Sequence, residues 1–157
     1  MKKWTILLLS ALLLLSSVAC GSKSAAAPVD LQKICDEAIA SLDGTEAVFF
    51  PSTSEEEIYG VYPELKDIEC KQLVAYFHPV LGAPCEVVMV EVADSADVSA
   101  AQAAMQSRID AVTSDTFYAD NAEGWKNSAQ VYVTGNYVVM SVLPAGVEKP
   151  AAFKAEF

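Results

Sequence analysis

Few side chains in this sequence could do chemistry. Its 157 residues include one histidine, His78, and four cysteines, Cys20, Cys35, Cys70 and Cys85. A Ser/His/Asp hydrolase would have to use His78, which precedes Pro79 in a loop-like stretch, and no serine stands in a recognisable nucleophile turn. His78 with Cys85 would be a thiol site, but the two are separated by a loop with no evident residue to orient them, so a solvent-facing loop histidine is the plainer reading. The run Ser54-Glu55-Glu56-Glu57 resembles a metal-binding cluster at first sight. A capping box explains it better: Ser54 caps a helix start, Glu57 reaches back, and the acidic side chains favour the helix N-terminus. No Cys-x-x-Cys or Cys/His spacing suggests zinc, and no Gly-rich phosphate loop or calcium loop is present. Tyr59, Tyr62 and Tyr76 could line a sugar- or peptide-binding groove, with core and rim packing the preferred account. No catalytic, metal or cofactor site is expected.

Cys20 is the exception. Lys2 and Lys3 begin a leader in which Ile6-Leu7-Leu8-Leu9 and Leu12-Leu13-Leu14-Leu15 form an apolar run that ends in Ser16-Ser17-Val18-Ala19-Cys20. A basic start, a short apolar core and small residues at a cut make a secretory signal. The run is shorter than the about 20 residues a transmembrane helix needs. Ala19 before Cys20 resembles a bacterial lipobox, in which the thiol receives a diacylglyceryl group, the chain is cut before the cysteine, and the new N-terminus takes an acyl chain such as palmitate. Leu is usual where Ser17 stands, and Ser17-Val18-Ala19 would also suit an ordinary signal peptidase, which would release a free secreted protein. The expected organisation is a signal peptide over 1–19, a lipidated Cys20 with a tether over 20–29, and one domain over 30–157. Gly21 to Val29 would reach at most about 30 Å and average about 16 Å between its ends.

The formal net charge is −11, and two units more negative without Lys2 and Lys3. That sign excludes the phosphate neutralisation on which nucleic-acid binding depends and disfavours lying flat on anionic lipid. With Cys20 set aside, three cysteines remain, so they cannot all pair within one chain. Cys70–Cys85 is the one pair to consider. A loop centred near Gly82 would instead set Cys85 opposite Tyr76, and buried free thiols are expected.

The elements follow from spacing and breakers. Leu31, Ile34, Cys35, Ala38, Ile39 and Leu42 recur at helical intervals after a capping Asp30, which predicts a helix over 31–42 with Cys35 in the core. A short helix follows Ser54 and ends near Tyr59-Gly60. Ile68–Phe77 and Cys85–Val92 read as strands of an antiparallel hairpin, joined by a loop with two prolines and Gly82. Ser95–Thr113 reads as the best helix, with Val98, Ala101, Met105, Ile109 and Val112 inward and Gln102 and Arg108 outside. Ser114–Asn127 reads as looser chain whose aromatics, Phe117, Tyr118 and Trp125, plug one edge of a core. Gly135-Asn136 between 129–134 and 137–143 signals a second hairpin, and Glu148–Phe157 a short terminal helix or tail. This pattern predicts an α+β fold, an antiparallel sheet of about four strands in two hairpins with helices packed on one face.

Taken in order, the lipobox, the helix from Leu31, Glu57-Ile58-Tyr59-Gly60-Val61, Leu73-Val74-Ala75-Tyr76, the Ser95–Thr113 helix and Gly135-Asn136-Tyr137-Val138-Val139 resemble the domain-of-unknown-function family 4358, over roughly Asp30 to Leu143. The resemblance implies an exported bacterial lipoprotein and supplies no activity or catalytic residue. The expectation is a lipid-anchored binding or accessory module on the extracytoplasmic face of the cell membrane. It would be held there by its lipid, with an envelope protein among its candidate partners, no nucleic acid and a ligand left open. The alternative is a small exported hydrolase or thiol enzyme using His78.

Overall fold

The computed structural model describes residues 29–52 and 54–157. The expected signal peptide, Cys20 and all of the tether except Val29 lie outside the described residues. Four helices, α1 (Leu31–Ala40), α2 (Glu55–Val61), α3 (Val98–Thr113) and α4 (Ala119–Ser128), accompany five strands. The strands are β1 (Phe50–Pro51), β2 (Cys70–Phe77), β3 (Glu86–Val92), β4 (Gln130–Thr134) and β5 (Tyr137–Val142). They form one antiparallel sheet in the order β1-β2-β3-β5-β4. The α+β class and the two hairpins are as expected.

The fifth strand is a correction to the expected four. β1 pairs Phe50 with Phe77 and Pro51 with Tyr76, and it is too short to show alternation in sequence. Pro51 also blunts this edge of the sheet, because it offers no N–H for a further strand.

Side chains alternate across the sheet and define two cores. On the front, Val88, Val90 and Val92 of β3 and Val138, Met140 and Val142 of β5 meet Ile58 of α2, Ala101, Met105, Ile109 and Val112 of α3, and Trp125 of α4. On the back, Val87 and Met89 of β3, Val74 and Tyr76 of β2 and Val139 of β5 meet Leu31, Cys35 and Ala38 of α1 and Phe153 near the C-terminus. Helices therefore cover both faces, which corrects the one-face expectation. The reason is visible in β3: Val87, Val88, Met89 and Val90 are all fully buried, and a strand apolar on both sides needs two covering layers. Burying each such side chain contributes about 1.5–3 kcal/mol, so β3 is the centre of both cores.

Local signals account for the helices. The Asp30 side chain accepts from the Lys33 N–H at the start of α1, and Ser54 accepts from the Glu57 N–H at the start of α2. The Glu57 carboxylate accepts from the Ser52 hydroxyl at 3.0 Å. Ahead of α3, a 3-10 turn over Ser95–Asp97 is capped by Asp94, which accepts from the Ala96 N–H. The expected loose chain after α3 is instead α4, whose ten residues bury only Ala122 and Trp125. Two inward positions are too few to show a helical period, and the anchoring of Trp125 holds the helix. Gly135, with φ +55°, opens the two-residue β4–β5 turn with the positive φ that such a hairpin needs at its first central position. The C-terminal segment adds a 3-10 turn over Ala151–Lys154 that plugs Phe153 into the back core.

Candidate functional site

Glu86 opens β3 on the same side as Val88 and Val90, so its carboxylate points into the front core and is 3% exposed. A carboxylate there requires partners. Arg108 supplies two donors, Nε to Oε1 at 3.1 Å and Nη2 to Oε2 at 2.9 Å, and the buried Tyr62 hydroxyl donates to Oε1. This corrects the expectation that Arg108 lies outside. It stands three residues after Met105 and four before Val112, hence on the inward stripe of α3. Burial alone would lower the guanidinium pKa, but the Glu86 carboxylate outweighs it and Arg108 holds its proton more firmly than usual. Burial, then the Glu86 charge, pushes Tyr62 well above the ordinary tyrosine value. The guanidinium carbon also lies 5.2 Å from the centre of the Trp125 ring, within cation–π range.

Trp125 carries the network to the β2–β3 loop. Its Nε1 donates to the carbonyls of Gly82 at 2.9 Å and Ala83 at 3.3 Å. The adjoining Gly124 permits the approach, since a Cβ there would lie 3.1 Å from Cγ of Pro84. The loop is thus clipped to α4, and between them opens a cleft of about 420 Å³. Val80, Leu81 and Gly82 form one wall, Arg108 and Val112 of α3 line the interior, and Asp115, Tyr118 and Asn121 form the other wall. Exposed apolar side chains stand on its walls: Leu81 is 66% accessible, with Val80 and Tyr118 also exposed, and Phe117, 83% accessible, borders an adjoining hollow that Tyr118 also lines. Phe117 and Tyr118 pack edge to face, with ring centres 4.8 Å apart. Of the three aromatics expected to plug a core edge, only Trp125 does so.

The cleft and the start of the domain lie at opposite ends of the sheet. Gln72 in the first turn of β2 holds both the Val29 carbonyl, at 2.8 Å, and the Leu31 N–H, at 2.9 Å. From Gln72 the strand advances about 17 Å to Phe77, and only then does the cleft-forming loop begin.

The other candidates do not converge. His78 Nδ1 accepts from the Val80 N–H at 2.9 Å. The register Phe77↔Glu86 places His78 and Cys85 just beyond the last paired residues, which corrects the expected Cys85–Tyr76 pairing because the connection is centred between Leu81 and Gly82, one residue later than that pairing requires. Even so, Cys85 is buried and burial raises its thiol pKa, the opposite of the shift a nucleophile needs. Cys70 pairs with Val92, so about 23 Å of β3 separates it from the Cys85 end, far beyond disulfide reach. Cys35, Cys70 and Cys85 are all free thiols. Burial, then the nearby Asp36, pushes the Cys35 thiol up to about 12. Tyr62 faces the front core and Tyr76 the back, so the sheet lies between them, while Tyr59 donates to Glu55 at 3.2 Å. Among the described residues no group of His, Cys, Asp and Glu could hold a metal ion, and no helix is long and apolar enough to cross a membrane.

Sequence reasoning missed the Glu86–Arg108–Tyr62 cluster, although a signal was present: a glutamate in phase with buried valines, and an arginine in phase with a helix's buried stripe. The family model described as Domain of unknown function (DUF4358) matches residues 53–143, starting later than the expected Asp30. No curated protein matches this chain, and no solved structure does.

Proposed function

The chain belongs to the DUF4358 family, and from that premise we propose that it is a lipid-anchored, extracytoplasmic binding or accessory module whose binding site is the cleft between the β2–β3 loop and α4. The observation that carries the reading is the exposed set of Val80, Leu81 and Tyr118 on the cleft, with Phe117 packed on Tyr118 beside it, around an opening built on a fixed polar network. Large side chains exposed together mark interaction surfaces more often than they serve folding. Supporting the anchor are the lipobox-like end at Ala19-Cys20 and a domain start placed at the far end of the sheet from the cleft. A diacylglyceryl group and an N-acyl chain on Cys20 give the two-signal attachment that makes membrane binding durable.

The test is a photo-crosslinking amino acid at Leu81 in the full chain in its own cells, with the same probe at exposed Lys66 as control. The expected result is a discrete adduct from Leu81 and none from Lys66, with the Cys20→Ala protein released from the membrane fraction. Equal labelling at both positions would refute the cleft; Cys20→Ala protein that stays with the membrane would refute the anchor.

A further inference from the structure

The charge around the cleft has one sign. The segment that walls the cleft, residues 115–121, carries Asp115 and Asp120 and no lysine or arginine, and the loop over 78–84 carries no Lys, Arg, Asp or Glu. The cation inside, Arg108, is matched by Glu86, so the interior is electrically neutral and the rim is not. Asp115 lines the cleft and Asp120 the adjoining hollow that Phe117 and Tyr118 also line, and neither is in an ion pair among the described residues. Asp115 accepts from the Phe117 N–H, a neutral donor that leaves its charge uncompensated. Within this acidic border stand two exposed aromatic rings and Leu81. Exposed aromatics beside a well-formed hollow are the anchors around which protein interfaces concentrate their energy.

Resting on the binding-module reading above, we propose that the cleft docks a polypeptide segment of a partner protein that is apolar at its centre and basic at its flanks. An apolar side chain enters between Leu81 and Tyr118, and lysine or arginine side chains lie against Asp115 and Asp120. Membrane lipid fits poorly: an anionic leaflet repels this rim, and the rim sits at the far end of the sheet from the residue that leads to the tether.

The test is fluorescence anisotropy of the full chain with three short synthetic peptides that share a Leu-Phe-Leu centre and are flanked by lysines, by glycine and serine, or by glutamates. The lysine-flanked peptide is expected to bind, the glutamate-flanked one at least about tenfold more weakly. The double substitution Asp115→Asn/Asp120→Asn should weaken the lysine-flanked peptide about fivefold, added salt should weaken it further, and Phe117→Ser should abolish binding with the circular dichroism spectrum unchanged. Equal binding of the three peptides overturns the proposal. So does Phe117-dependent sedimentation of the Cys20→Ala protein with phosphatidylcholine vesicles containing one quarter phosphatidylglycerol, and so does self-association abolished by Phe117→Ser. A Leu81 adduct in cells with no binding of the lysine-flanked peptide refutes this ligand class and leaves the binding-module reading standing; neither adduct nor peptide binding refutes both.

Discussion

Replacing Arg108 with methionine removes one partner of a buried ion pair while keeping most of the stem that packs beside Trp125. In the wild type, Glu86 accepts from Nε at 3.1 Å and Nη2 at 2.9 Å; in the variant its one remaining partner is the Tyr62 hydroxyl. Stranding a buried charge in this way costs about 3–5 kcal/mol, and losing the cation from the Trp125 ring adds about 0.5–1 kcal/mol. A loss near 4 kcal/mol raises the unfolded fraction about a thousandfold, yet it lies within the about 5–15 kcal/mol of a typical domain. The assay is urea unfolding followed by far-ultraviolet circular dichroism at pH 7. The double variant Glu86→Leu/Arg108→Met should recover most of the stability, since an apolar pair of similar volume replaces a buried ion pair with little penalty. A single-variant loss below about 1 kcal/mol, or a double variant no better than the single one, would refute the reasoning.

Lys149 donates to the carbonyls of Ser128 at 2.9 Å and Ser141 at 3.3 Å, and burial, with a smaller contribution from Lys154, lowers its pKa from 10.5 to about 8. Between those values the unfolded chain holds more protons on this group than the folded one, so its contribution to stability rises with pH across that window; subtracting the pH profile of Lys149→Met from that of the wild type should expose this slope, and a flat difference would refute it. Trp125→Phe strands the Gly82 and Ala83 carbonyls and should cost about 1–3 kcal/mol, with faster amide exchange over 80–84. Gly135→Ala places a side chain at φ +55° and should cost about 1–2 kcal/mol, measured by the same urea titration.

Much of the fold was legible because its signals are local and periodic. The caps at Asp30 and Ser54, the inward stripe from Ala101 to Val112 and the Gly135-Asn136 hairpin each depend on a few neighbouring residues. What escaped depended on distant partners. β1 exists because Phe77 and Tyr76 of β2 offer it an edge, and α4 because the loop carbonyls of Gly82 and Ala83 receive Trp125. Arg108 was misplaced because charge argued for solvent while spacing argued for the core, and only Glu86, across the fold, decides between them. The cleft was least legible of all. Its rim residues come from two segments more than thirty positions apart, and exposure is a property that no single stretch of sequence displays.

The back layer of the sheet is closed by the two extremities of the domain, α1 at one end and Phe153 at the other. This arrangement imposes a schedule on folding. As the chain is made at about 5–20 residues per second, α1 appears first and must wait for β3 and β5 before it has a surface to cover. Phe153 emerges after β5, and until it arrives the floor beneath Val139 and Leu143 stays open. The domain cannot close in vectorial order from its N-terminus; its final turn is the stopper, and shortening the chain by those few residues would leave newly made molecules with an apolar face open to one another.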